Sequence, residues 1–206
     1  MRNFESKIFW LVTSLKRTLS RAFDNNHQME MANKEAQSLY KKLSSWGVNA
    51  KISSAKCVEI ADSPVRWINV MWGPDSESGV AVYTYDYDVP DWRLLPKLEI
   101  DAVPVRSGWR HTKDLIDIRW KGNDRGTGIS RDQEVKVAIM SLINENPRRN
   151  PYDTRGPFLS IFTSPEPSLW VIRRVTAQID SVFYRREQWR NYEIIAKHLL
   201  VIDIPK

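Results

Sequence analysis

Residues Tyr83 to Asp88, read as YTYDYD, constrain the fold more than any other stretch of the chain. An aromatic ring occupies every second position and a polar group fills each gap. Side chains on a strand point alternately to opposite faces, so this pattern predicts a strand with one face in a core and the other in water. The same period returns twice. In KLEIDAV, Leu98, Ile100 and Ala102 alternate with Lys97, Glu99 and Asp101; in DLIDIRW, Ile116, Ile118 and Trp120 alternate with Asp117 and Arg119. Shorter strand signals lie at KCVEI, VRWINVMW, FLSIF and LWVIRRV, and VRWINVMW is expected to pair with GVAVYTYDYDV as a hairpin across the turn-rich GPDSESG. Half-buried strands need a layer over their apolar face, and helical periodicity elsewhere supplies one. The expected class is therefore α+β, a mainly antiparallel sheet flanked by helices, with an N-terminal amphipathic helix.

Three helices are expected in the body of the chain. MANKEAQSLYKKLSSWG carries an apolar stripe of Ala32, Ala36, Leu39, Tyr40 and Leu43 and ends at Gly47. A second follows Ser130, and a third, over about Arg185 to Leu200, places Trp189, Tyr192, Ala196 and Leu199 on one side. Ahead of them, Phe4, Ile8, Leu11, Val12, Leu15, Leu19 and Phe23 repeat every three or four residues, opposite Lys7, Lys16, Arg17 and Arg21. Its apolar run stops at Lys16-Arg17 with no small-residue cleavage site behind it, so neither a signal peptide nor a membrane span is expected. The polar stretch Asp24 to Gln28 reads as a break. The expected organisation is a basic amphipathic arm over residues 1–28 and a single α+β domain over 29–206.

With 206 residues the chain is long enough to bury a core without staples, and its 42% hydrophobic and 27% charged residues are ordinary for a globular protein. Cys57 is the single cysteine, which excludes an intramolecular disulfide and a multi-cysteine zinc site and points to a cytoplasmic setting. His27, His111 and His198 lie far apart, and no cofactor motif is present, so no cofactor is expected. Charge is uneven. Residues 1–56 hold 10 basic and 4 acidic side chains, 57–104 hold 3 and 9, and 105–206 hold 18 and 12. Such a chain either folds acid against base or offers unlike surfaces to different partners.

The segment WKGNDRGTGISRDQEVK, Trp120 to Lys136, crowds glycines, arginines and an E-x-K triplet together. Gly122, Gly126 and Gly128 lack the spacing of a phosphate-wrapping loop, and no Lys-Ser/Thr pair follows them. Glu134 and Lys136 would share one face of a strand, as a nuclease site needs. Val135, Ile139, Leu142 and Ile143 recur at helical intervals instead, with Ser130 and Gln133 as a capping box, so the pair should diverge. Arg125, Gly126, Gly128, Ser130 and Arg131 remain as a weak anion-binding set at the helix start.

Two further sets carry functional readings. Asp86, Asp88, Glu99 and Asp101, with Asp91 nearby, supply the clustered carboxylates a divalent metal requires, against the plainer reading of a solvated strand face. Arg106, Trp109 and Arg110, and separately Arg148, Arg149, Tyr152 and Arg155, mix arginine with aromatic rings in loops. Such a mixture suits a protein hot spot or stacking on single-stranded nucleic acid. Residues 105–206 hold 13 Arg and 5 Lys, which favours recognition over mere solubility. The leading expectation is a non-catalytic cytoplasmic interaction module that binds a protein partner or sits in a larger assembly. A sequence-tolerant nucleic-acid-binding protein ranks second and a metal-dependent nuclease or phosphodiesterase third. Contact of residues 4–23 with a membrane surface ranks below a protein partner.

Overall fold

The computed structural model describes residues 25–74, 81–107, 114–144, 158–164, 168–176 and 185–204. Helix α1 (25–45) leads into strands β1 (Ala50–Ser54), β2 (Cys57–Ile60), β3 (Trp67–Pro74), β4 (Ala81–Pro90), β5 (Glu99–Ser107) and β6 (Asp114–Asn123). After a 3-10 turn, Ile129–Arg131, come α2 (Gln133–Asn144), β7 (Leu159–Ser164), β8 (Leu169–Thr176) and α3 (Arg186–Val201). The strands form one eight-stranded sheet in the order β1-β2-β3-β4-β8-β7-β5-β6, with every neighbouring pair antiparallel. Strands β1 to β4 make a meander and β5–β6 a hairpin at the far end. The later hairpin β7–β8 closes the gap between them, pairing β8 with β4 and β7 with β5. This is the α+β architecture with an antiparallel sheet that the alternating segments predict.

Strand register sorts the side chains into two faces. Tyr83, Tyr85 and Tyr87 stand beside Thr176, Arg174 and Ile172 of β8, and Ile172 continues through Ile161 to Ile100. The helices cover this face: Tyr85 donates to Glu35 of α1 (2.9 Å), and the Tyr87 ring stacks on Tyr192 of α3 at 4.0 Å between centroids. α2 packs on α3 and on β6. The core between sheet and helices is apolar, built from residues such as Leu39, Leu43, Ile68, Ile100, Ile139 and Trp189, and it encloses a few polar groups. Arg174, nearly fully buried, lays its guanidinium 3.9 Å over the Phe158 ring and donates to the Phe158 carbonyl (2.8 Å). Burial holds the Tyr87 hydroxyl well above its ordinary range and pushes Tyr192 up to about 12, so both rings stay neutral.

The helix signals convert into capping geometry. α1 buries Ala32, Ala36, Leu39 and Leu43 as its stripe predicts, and Gly47 ends it with φ of 79°. The Gly47 amide donates to Ser44 and the Val48 amide to Leu43, the paired bonds of a Schellman turn. α3 buries Trp189, Tyr192, Ala196 and Leu199, together with Gln188 and Ile195.

Three expectations need correction, and one strand has no counterpart among them. Residues 25–28 are helical, so the polar run there opens α1 rather than breaking the chain; His27 meets the edge of Trp72 at 5.0 Å, which gives these residues tertiary support. β1 carries no apolar alternation strong enough to read, being a short edge strand with little to bury. Ile116 is exposed because a register shift between Val105 and Arg106 pairs Arg106 with Leu115, and Leu115 takes the inward position. Finally, Asp132 and not Ser130 caps α2: its Oδ1 accepts from the amides of Glu134 (2.9 Å) and Val135 (3.0 Å). The arm over residues 1–24 lies outside the described residues.

Candidate interaction surface

Between β4 and β5 the chain reads PDWRLLPKL, from Pro90 to Leu98, and its side chains alternate in and out. Asp91, Leu95 and Leu98 are buried, whereas Trp92 is 94% and Leu94 87% exposed. The alternation is fixed by one ion pair. Arg93 donates to the Asp91 carboxylate through Nε (2.9 Å) and Nη2 (2.6 Å), and Trp170 of β8 adds an indole N–H at 2.9 Å. Arg93 also donates to backbone carbonyls at the end of α3: Ile202 at 2.6 Å, Leu200 at 3.0 Å and Leu199 at 3.3 Å. A cation there satisfies carbonyls that a helix terminus otherwise leaves open and lies at the negative end of the dipole.

Electrostatics agree with this geometry. Burial alone would raise the Asp91 carboxyl, but the bonds from Arg93 and Trp170 outweigh it and hold the group below its ordinary range. The hydrogen bond to Asp91 raises Arg93 in turn, against a smaller effect of burial. Val201, 78% exposed, sits within the α3 end that Arg93 grips. Trp92 and Leu94 flank Arg93 in the chain, so three large apolar side chains border one buried ion pair and face water. Nothing in the alternating pattern requires them there. Single exposed apolar residues are ordinary, but here an indole is held outward beside a bonded Arg93 and next to a second exposed apolar side chain, Leu94.

The residues expected to bind from sequence are placed differently. Arg106 lies near the end of β5, partly buried, beyond the register shift. Trp109, Arg110, Arg148, Arg149, Tyr152 and Arg155 lie outside the described residues. The anion-binding set does come together, as one loop in which some of the donors already have an acceptor. Asp124 accepts from the Gly126 amide (3.0 Å) and the Ser130 hydroxyl (2.8 Å), and Asn123 from the Arg125 amide (2.8 Å). The Ser130 hydroxyl, with the Gly126 amide and the Arg131 charge, holds the Asp124 carboxyl below its ordinary range against the opposing effect of burial. The Asp124 carboxylate is thus the chain's own anion within that loop. Left-handed φ values at Arg125 (52°), Gly126 (78°) and Gly128 (74°) wrap the loop around it. Gly122 serves a different end: its φ is 98°, and a Cβ there would meet the Glu99 carbonyl at 2.3 Å.

The four carboxylates proposed for a metal share one sheet face but not one site. Asp86 and Asp88 lie on β4 and Glu99 and Asp101 on β5, with β8 and β7 between. Adjacent strands lie about 4.8 Å apart, so the two pairs stand roughly 14 Å from each other. Arg173 grips Asp86 through two bonds (2.7 and 2.8 Å), Asn69 donates to Asp88 (2.7 Å), and Ser160 donates to Asp101 (2.6 Å). Among the described residues no group of three or more His, Cys, Asp or Glu side chains is placed to hold a metal ion. Glu134 and Lys136 diverge, as helical spacing requires: Glu134 Oε2 meets His198 at 2.8 Å, and Lys136 meets Asp117 at 2.6 Å.

Sequence reasoning passed over Trp92, Arg93 and Leu94. A signal was present. Pro90 and Pro96 bracket an arginine beside a tryptophan and two leucines, the same mixture that drew attention to the other two loops. In the sequence Asp91 is only one more carboxylate, and its burial by Trp170 depends on β8, a strand far away in sequence. No protein-family model matches the chain, and neither a curated protein nor a solved structure matches it. No helix among the described residues is long and apolar enough to cross a membrane.

Proposed function

We propose that this chain is a non-catalytic, cytoplasmic interaction module that holds a protein partner through Trp92, Leu94 and Val201. One observation carries the reading: Trp92 and Leu94 are almost fully exposed on a segment whose intervening residue, Arg93, is bonded both to a buried carboxylate and to the end of α3. A mobile loop would have to be ordered on binding, whereas this one is already fixed, so little of the gain from burying its side chains is lost. Tryptophan is the side chain most often found to dominate such contacts. An unpaired Cys57 supports the cytoplasmic setting.

To test the proposal, the protein that co-purifies with the intact chain is identified and its affinity measured against the double variant Trp92→Ala, Leu94→Ala. Affinity should fall by roughly a hundredfold or more while the unfolding midpoint stays put, because neither side chain contributes to the core. Unchanged affinity would place the contact elsewhere and overturn the proposal.

A further inference from the structure

A cavity of about 200 Å³ opens between the turn that ends α1, the turn between β2 and β3, and the first two turns of α3. Trp189 and Ile60, both buried, give it an apolar floor. Its walls are already fixed. The Ala61 amide donates to the Asn49 carbonyl (2.9 Å), Asn49 Nδ2 donates to Asp62 (3.1 Å), and the Schellman turn at Gly47 anchors the chain just before them. A cavity of about 150 Å³ holds a benzene ring, so this one admits a molecule of roughly ten non-hydrogen atoms. Drug-sized ligands take roughly 300–1,000 Å³, so nucleotides and the larger coenzymes do not fit.

The charges on its walls select the chemistry. Arg186 and Arg190 stand one helical turn apart on α3 and line the cavity; both are exposed, and neither has a side-chain hydrogen bond or ion pair among the described residues. Both placements oppose folding, because like charges at i and i+4 repel and a cation in the opening turns of a helix faces the positive end of its dipole. A carboxylate held between the two guanidiniums would offset both effects and match their planar donors. Glu193, a further turn along α3, and Asp62, on the β2–β3 turn, also line the cavity, and Asp62 keeps acceptor capacity beyond the bond from Asn49. Two acids beside two arginines leave no net charge. A dianion such as phosphate or a dicarboxylate therefore gains little there, while a protonated amine gains two acceptors.

We propose that this cavity binds a free α-amino acid with an apolar side chain: its carboxylate on Arg186 and Arg190, its ammonium on Glu193 and Asp62, and its side chain against Trp189 and Ile60. Valine, leucine and methionine are of the right size. From Arg190 to Val201 the axis of α3 rises about 16 Å, so the site is separate from the surface around Trp92 and Leu94 and stands or falls independently of it.

The probe is leucine, with its deaminated acid and its decarboxylated amine as controls. Saturation-transfer difference NMR on the intact chain should give leucine a Kd of about 1 mM or below, within reach of a ligand this small. Each control should bind roughly tenfold more weakly or worse, for want of one charged contact. The full-length variant Arg186→Gln, Arg190→Gln should lose roughly tenfold or more in affinity for leucine. Its unfolding midpoint, read without leucine, should be unchanged or higher, because both side chains are exposed and repel each other. Glu193→Gln should weaken leucine while leaving the deaminated acid as it was or binding it better. No binding of leucine, valine or methionine, or binding that the arginine variant leaves unchanged, would overturn the proposal. So would a deaminated acid that binds as tightly as leucine, which would make the cavity a site for anions at large.

Discussion

Replacing Asp88 by Asn should stabilise the protein, and by an amount that depends on pH. Asp88 lies on β4 between Trp67 of β3 and Val171 of β8, its side chain largely buried, with one bond from Asn69 Nδ2 (2.7 Å). Burial, followed by the charge of Asp86, pushes its carboxyl from 3.8 to about 7, against smaller opposing effects of the Asn69 bond and the Arg173 charge. The fold therefore favours the protonated acid. Between those two values the folded protein binds more protons than the unfolded chain, so stability falls as pH rises through the interval and levels off above about pH 7. At about 1.4 kcal/mol per pH unit the ceiling of this penalty is about 4 kcal/mol, of which about 1.6 is already present at about pH 5. Discounted for water that still reaches the side chain, the advantage of Asp88→Asn should grow by ~1.5–2.5 kcal/mol between about pH 5 and about pH 8.5. Asn keeps a carbonyl oxygen for the Asn69 donor and brings no charge. Urea unfolding of both proteins at the two pH values reads the difference, in which every other titration cancels. An advantage that is the same at both pH values, or a variant less stable at the higher one, would refute the assignment of a neutral acid at this position.

Two more outcomes follow from ion pairs on the helix side. His198 bridges Asp132 (2.9 Å) and Glu134 (2.8 Å); burial alone would lower its pKa, but the bond and charge of Asp132, then those of Glu134, raise it. Its stabilising effect is complete below the unfolded value of about 6.5 and is lost as pH rises through the folded value, so His198→Gln should cost ~0.5–1 kcal/mol at about pH 5.5 and much less at about pH 9, read by thermal unfolding. Arg93→Met leaves the Asp91 carboxylate buried without its cation and the last carbonyls of α3 without their donor; a loss of about 3–5 kcal/mol in denaturant unfolding, with faster amide exchange over the final turn of α3, is the expected result.

What could be read in the sequence was whatever depends on neighbours a few residues away. The inward face of β4, the stripe of α1 and its Gly47 terminus follow from local spacing, because a strand repeats every second residue and a helix every three to four. The helical setting of Glu134 and Lys136 was legible for the same reason. The cap was not, since Ser130 and Asp132 are both good caps and the choice depends on Asp124, which takes the serine hydroxyl. Strand order lay beyond reach too, because the β7–β8 hairpin is inserted between strands made far earlier in the chain. The candidate surface shares that difficulty: Trp92 and Leu94 are conspicuous only once Trp170 and the end of α3 have turned Asp91 and Arg93 inward.

The uneven charge of the chain then acquires a structural meaning at the junction of the early and late strands. Arg173 and Arg174 are adjacent on β8 and point to opposite faces, and each finds its partner in a single register. Arg173 reaches Asp86 and stacks over Phe162 on the face away from the three described helices, while Arg174 meets the ring and carbonyl of Phe158 beneath the helices. A slip of β8 by one residue would place Ile172 opposite Asp86 and turn every inward side chain of the strand outward. It would leave a carboxylate without its cation on one side and a guanidinium misplaced in the core on the other, each costing several kcal/mol. The acid-rich segment and the arginine-rich segment are thus matched across β4 and β8, and their pairing specifies how the last hairpin enters the sheet.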